Sequence, residues 1–165
     1  MNKLLEKIFF PKLTRWYLLR VALVALAAYL FFGHVCIPCV IDGASMMPTY
    51  PSHGLNFCWC PALWYSTPQR GDIVVASYVG RRVLFLKRVA ALEGDTVEFR
   101  SGTLFVNGVP QEEPWLMPGT CDWELPPRIV EKGNVYLVGD NRTMPIDEHI
   151  FGQLPVSRII GKPLW

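Results

Sequence analysis

Charge is scarce in this chain: only 18% of its 165 residues are Asp, Glu, Lys or Arg, and the formal net charge is +2. Neither end carries an acidic or basic run, and so small a positive excess excludes the electrostatic footprint of a nucleic-acid-binding domain. Internal repeats and low-complexity tracts are missing as well, which excludes a solenoid. The three histidines, His34, His53 and His149, are far apart and no carboxylate cluster accompanies them, so the sequence shows no metal site. Nor does a histidine follow the one serine of "GASMMPT" (43–49) at a triad spacing. Helix signals are weak outside the N-terminal region.

What the chain has in quantity is apolar surface, 51% of its residues. The run "VALVALAAYLFFG" (21–33) is uncharged, and its extension from Trp16 to Ile41 is long enough to cross a bilayer. Arg20 lies near its start, where a long side chain reaches the headgroups. Lys3, Lys7, Lys12 and Arg15 precede it against the single acid Glu6, which places the N-terminus in the cytoplasm by the positive-inside rule. Ala25-Leu26-Ala27 resembles a signal-peptide cleavage site. It sits in mid-run, however, with Tyr29 to Phe32 still apolar beyond it, so a retained anchor is the better reading. The expected plan is a cytoplasmic basic N-terminus and transmembrane anchor over residues 1–39, then an extracytoplasmic β-rich domain over 40–165.

Five cysteines, Cys36, Cys39, Cys58, Cys60 and Cys121, follow the anchor, in a compartment where a disulfide can persist. "HVCIPC" has metal or dithiol spacing, whereas "FCWC" is poor zinc spacing. One structural disulfide among otherwise inert thiols is the expectation, with apolar surroundings that suit cysteine as a small hydrophobe.

Beyond the anchor, short runs of Val, Ile, Phe and Tyr alternate with Gly, Pro, Asn and Asp, the pattern of a β-rich domain. Strands are expected at 72–79, 82–90, 134–140 and 156–161, with a hairpin turning at Ser101-Gly102 and another turn at Asn107-Gly108. The proline- and acid-rich stretch 110–128 reads as an irregular excursion. "FCWCPALWY" (57–65) suits either an aromatic core cluster or contact with a membrane surface. Fourteen prolines and thirteen glycines agree with a curved, barrel-like sheet.

Ser45 needs a proton acceptor, and Lys87 is the candidate. In "RVLFLKRVA" strand alternation aligns Val83, Phe85, Lys87 and Val89 on one face. Burial there disfavours the ammonium; a fall of about 3 units, costing about 4 kcal/mol, would bring the amine near neutrality. A neutral amine can take a hydroxyl proton, which is the Ser-Lys form of nucleophilic catalysis. Taken alone, a serine in a Gly-flanked loop is usually a turn residue, and a strand lysine usually reaches solvent.

The order of short blocks changes that weighting. "GASMMPT" with Ser45, "RGDIVV" (70–75), "KRVAALEGD" (87–95) with Lys87, and "GDNR" (139–142) followed by Asp147 and Gly152 resemble the successive boxes of the type I (leader) signal peptidases. These are membrane-anchored Ser-Lys proteases, and the likeness covers most of residues 40 to 162. The resemblance implies a mostly β, coiled-sheet or barrel-like catalytic domain with one N-terminal transmembrane helix, in a bacterial inner membrane. It implies that Ser45 attacks the scissile carbonyl, that Lys87 is general base, and that the Ser45 backbone N–H serves the oxyanion hole. Asp140, Asn141, Arg142 and Asp147 are expected to support the site.

Small residues before the cut would be read by shallow pockets, with Met46, Val83 and Phe85 as candidate lining. The expected partners are preprotein signal peptides and the lipid bilayer, with no nucleic acid, no metal and no cofactor, and a monomer is expected. The chain departs from the family pattern at three places. Gly43 stands where many relatives place a second oxyanion serine. Pro145 replaces a serine that helps to orient the lysine. Asp147-Glu148-His149 replaces Asp-Ser-Arg, leaving Asp147 to contact either His149 or Arg142. The competing readings are a specialised pilin- or conjugation-type maturation protease and a non-catalytic anchored thiol or binding protein.

Overall fold

The computed structural model describes residues 13–77, 84–119 and 121–165. Helix α1 (Arg15–Leu30) starts at Thr14, whose hydroxyl accepts the Tyr17 N–H at 3.2 Å, the expected N-cap chemistry. It runs on as a π-helical segment, Phe31–Val35. Together they make 21 residues with no buried face, long and apolar enough to cross a membrane. Apart from Arg15 and Arg20 the helix is apolar on every side and none of its residues is buried, a surface that suits lipid better than water.

The rest is β-structure. Strands β1 (Cys36–Asp42), β2 (His53–Trp59), β3 (Ile73–Ser77) and β4 (Leu84–Ala91) lead to a hairpin of β5 (Thr96–Arg100) and β6 (Thr103–Val106). Then come β7 (Val109–Pro110), β8 (Leu125–Ile129), β9 (Asn134–Val138), β10 (Gly152–Pro155) and β11 (Ile159–Pro163). A seven-stranded sheet runs β1-β2-β11-β3-β4-β9-β10, and a four-stranded sheet runs β7-β6-β5-β8. The expected hairpin is present: Ser101 and Gly102 have φ of 46° and 76°, the left-handed pair that matches strand twist.

Three expectations need correction. The stretch 110–128 is not wholly irregular, because Val109–Pro110 pairs with β6 and Leu125–Ile129 pairs with β5. Pro126 and Pro127 are tolerated because β8 is the edge of its sheet and both fall in the register shift between Leu125 and Arg128, off the regular ladder. The run 156–161 is divided: Val156–Arg158 is a 3-10 turn between β10 and β11. The expected disulfide is not formed, and all five cysteines are free. Cys39, Cys58 and Cys60 instead pack with Val75 as small hydrophobes. β1 also begins at Cys36, ahead of the boundary drawn at residue 40, and its Pro38 sits on an edge strand like those of β8.

Two apolar clusters hold the sheets. Val97, Phe99, Leu104, Val106, Trp123 and Val138 form the core between the small sheet and β9. Val74, Ala76, Val89, Val135 and Leu137 form the second, on the central strands. Stretch 57–65 does not form the aromatic core cluster considered for it, since none of its rings joins the buried clusters. Cys58 and Cys60 are buried, whereas Trp64 and Tyr65 are 59% and 92% exposed.

Where β11 crosses β2 the backbones meet without room for a side chain. A Cβ on Gly161 would stand 2.5 Å from the Trp59 carbonyl oxygen and 2.8 Å from Cys58 Sγ. Gly161→Ala is therefore expected to lower stability by roughly 1–3 kcal/mol, because the oxygen belongs to the ladder and cannot move aside. Urea unfolding of the variant beside the parent chain measures it.

Candidate active site

The loop between β1 and β2 carries Ser45. It is closed by the Gly43 N–H donating to the Ser52 carbonyl (2.8 Å) and the Tyr50 N–H to the Met46 carbonyl (2.9 Å). Gly43 has φ +123°, a conformation that L side chains rarely adopt, although there is open space where a Cβ would go. Backbone geometry, not crowding, makes this position glycine. Among the described residues nothing accepts the Ser45 N–H, while the Ser45 carbonyl accepts the Asn141 N–H at 3.0 Å. Ser45 lines a small cleft of about 60 Å³ together with Gly43, Met46, Val75, Phe85 and Leu86. Two of the three expected lining residues, Met46 and Phe85, are thus at the cleft, and Val83 lies outside the described residues.

Lys87 is on β4 opposite Val74 and is 2% exposed. Burial drives its pKa down to about 8, against an opposing pull from the Asp140 carboxylate. Asp140 is close enough to act on the amine, yet its charge is already committed. Arg88 grips it through Nε (2.8 Å) and Nη2 (2.7 Å), and the Thr49 hydroxyl donates to it at 2.5 Å. With Asp140 at 0% exposure, that fork is the condition for keeping a carboxylate inside at all. No hydrogen bond joins Ser45 Oγ to Lys87 Nζ among the described residues; in unliganded sites such contacts are often long.

The turn after β9 ties these pieces together. Asn141 donates its N–H to the Ser45 carbonyl and its Nδ2 to the Ala44 carbonyl (3.1 Å), so one side chain fixes two residues of the serine loop. Asp140 joins that loop at Thr49 to β4 at Arg88. Arg142 donates to the Gly139 carbonyl (2.8 Å) and forms a buried pair with Glu113 (2.6 Å). Gly139 is pressed between two partners: a Cβ there would come within 2.6 Å of the His149 ring and closer still to the Ser45 carbonyl oxygen.

Asp140, Asn141 and Arg142 therefore gather where the sequence puts them. Asp147 does not: it is exposed on the short turn Ile146–Glu148 and pairs with neither His149 nor Arg142. His149 instead accepts the Gly139 N–H at Nε2 (3.0 Å), and Arg142 takes Glu113. Three supporting residues escaped the sequence reading, Thr49, Arg88 and Glu113, and His149, considered there only as a partner for Asp147, takes a different one. Arg88 sits in "KRVAALEGD" and could have been found there, but Glu113 lay in a proline-rich stretch with no local signal.

The family model described as "Signal peptidase, peptidase S26" matches residues 13–165. Thylakoidal processing peptidase 1 of Arabidopsis thaliana is 33% identical over 148 residues, which are 82% of this chain and 43% of that protein. Probable signal peptidase I-1 of Synechocystis is 34% identical over 156 residues, 90% of this chain and 78% of that protein. The chain spans 43% and 39% of the lengths of the two Arabidopsis thylakoidal peptidases it matches.

Burying Lys87 costs stability. Its pKa is about 8 in the fold and near 10.5 when unfolded, so below about pH 8 the fold must either strip the amine of its proton or bury the charge. Lys87→Met is expected to stabilise the chain by roughly 3 kcal/mol at pH 7. That gain shrinks as pH rises from about 8 toward 10.5, where the folded and unfolded amines are both neutral. Urea titrations of both chains at pH 7 and pH 10 check it.

Proposed function

The chain belongs to the signal peptidase family, peptidase S26, and from that premise we infer that it is a membrane-anchored serine endopeptidase removing signal peptides from exported preproteins. Lys87 carries the inference: an amine 2% exposed, with a pKa near 8 because it is buried, on the strand whose neighbouring residues line the Ser45 cleft. A group so poised is about half unprotonated near pH 8, which suits a general base.

In this reading the Ser45 hydroxyl attacks the scissile carbonyl as Lys87 Nζ takes its proton. The ammonium so formed then gives that proton to the departing amine, and water repeats the cycle on the acyl-enzyme. The unengaged Ser45 N–H faces the developing oxyanion, and a single such donor is worth about 3 kcal/mol. Gly43 adds no side-chain donor, so the hole rests on backbone groups alone. Met46 and Phe85 bound a cleft that admits alanine-sized side chains and turns larger ones away by overlap. The carboxylate of Asp140, the amide of Asn141 and the guanidinium of Arg142 hold the frame, and the chemistry calls for no metal or cofactor. Asp147, on the surface, has no part in it.

Helix α1 would cross the bilayer with the basic N-terminus ahead of it at the cytoplasmic side, the two together making up residues 1–39, and residues 40–165 outside, in a bacterial inner membrane, as a monomer. Exposed Trp64, Tyr65, Leu55, Val40 and Trp165 lie on the strands and turns nearest that helix and suit the headgroup layer. The thiol reading has little support: burial raises the pKa of Cys39 and Cys58 and leaves them poorly reactive.

The full chain, reconstituted with a preprotein, is expected to cut it once after the signal peptide. Ser45→Ala and Lys87→Ala should each lower kcat/KM by at least about a thousandfold. A chain with all five cysteines changed to serine or alanine should retain most activity. Wild-type kcat/KM should rise with pH through a midpoint near 8 and level off above it, since only the neutral amine accepts the proton. Full activity in Lys87→Ala, or loss in the cysteine-free chain alone, would overturn the assignment.

A further inference from the structure

His149 is the most unusual buried group in the molecule. Its side chain is 5% exposed, held edge-on against Trp123 (4.8 Å between ring centres) and beside Phe151. Trp123 itself is pinned, donating its indole N–H to the Met144 carbonyl at 2.9 Å and meeting Phe99 and Phe151. The imidazole is therefore an extension of the aromatic core. From that core it reaches to the turn after β9 and accepts the Gly139 N–H. The acceptor nitrogen must be unprotonated, so the ring proton sits on Nδ1, which is buried with no partner among the described residues. An orphaned buried donor is costly and calls for a reason.

On the same side of Gly139 as the ring lies the Ser45 carbonyl oxygen, and the two crowd the position of a Cβ so closely that only glycine fits beside them. The order of contacts is core, then ring, then Gly139 and the serine main chain together. We propose that His149 is a positioning residue for Ser45: its ring braces the Gly139–Asn141 turn and so fixes the main chain that carries the nucleophile and its oxyanion N–H. This rests on the protease reading of the preceding subsection, and it deepens that reading with a residue that stands where relatives place an arginine.

Charge explains why an imidazole can serve. Lys87 and Arg142 both face the ring, and Asp140, the nearby carboxylate, is held by Arg88. Burial first, then those two cations, hold the His149 pKa down to about 3, so the ring stays neutral throughout the working range. A neutral ring keeps Nε2 available to Gly139 and adds no positive charge beside the amine.

Three variants of the full chain in detergent micelles test this: His149→Ala, His149→Gln and His149→Arg, each with a thermal melt to confirm folding. His149→Ala removes the brace and is expected to lower kcat about tenfold or more while KM stays within about threefold, because the cleft is untouched. His149→Gln, neutral and able to accept from Gly139, should recover most of that loss. His149→Arg places a fixed cation toward Lys87 and should move the acid limb of kcat/KM to lower pH by about one unit. That shift reports how near the position is to Lys87, whereas the split between kcat and KM and the rescue by glutamine separate positioning from a purely structural role.

Hydrogen exchange of the peptide covering Gly139 to Asn141, followed in the same samples, needs no substrate. It should quicken in His149→Ala and not in His149→Gln. Unchanged exchange in His149→Ala, or equal loss of kcat in the alanine and glutamine variants, overturns the proposal. A wild-type chain that cuts no preprotein overturns the protease reading instead, while the exchange measurement still decides whether the brace exists.

Discussion

A charged group cannot be buried without a partner, and this molecule's central problem is that it buries two of opposite sign near each other. If Asp140 and Lys87 formed a pair, each would stabilise the ionised form of the other, and the lysine would stay an ammonium. Arg88 prevents that. It occupies both oxygens of Asp140 in a fork, and the Thr49 hydroxyl adds a third bond. The carboxylate is already satisfied, and for Lys87 desolvation outweighs attraction. A guanidinium suits this task better than an ammonium would, because its planar donors match both carboxylate oxygens at once.

That arrangement also builds the site mechanically. Asp140 is a joint between the serine loop and β4, and its neighbour Asn141 is a second joint to the same loop. Both residues leave β9, which pairs with β4 at Arg88↔Val138, so sheet register sets the distance between the nucleophile and the base strand. Behind them Arg142 lies over Phe99 and Trp123 while its guanidinium takes Glu113, and His149 presses on Gly139 from the same aromatic core. The reactive loop is thus held by main-chain contacts rooted in the best-packed part of the protein. Exposed turns could not supply that rigidity.

Around the N-terminal helix the constraint is solvent rather than charge. The helix has no packed face, and the ring pairs Phe32–Phe57 and Phe57–Trp165 continue its apolar character into the β domain. The three clustered thiols beneath β1 and β2 fill space there, in surroundings too dry to favour thiolates. The same feature, apolar surface near the N-terminal helix, accounts for both the buried cysteines and the exposed tryptophans.

Local sequence was enough to identify the anchor helix, the β-rich character, the 101–102 hairpin and the two residues proposed for the chemistry. Each of these depends on residues within a few positions of one another: an uncharged run, a period of two, a left-handed turn pair, a block of familiar spacing. What it misplaced was decided across longer separations. The proline-rich stretch yielded an edge strand because β5 was there to receive it, and the cysteines stayed reduced because their strands packed them as hydrophobes. Sequence by itself determined which groups could react. Only the tertiary structure decided which carboxylate Arg88 would neutralise, that Glu113 rather than Asp147 would take Arg142, and that His149 would lean on Gly139. Those choices turn on burial and contact between segments far apart in the chain, which no local pattern encodes.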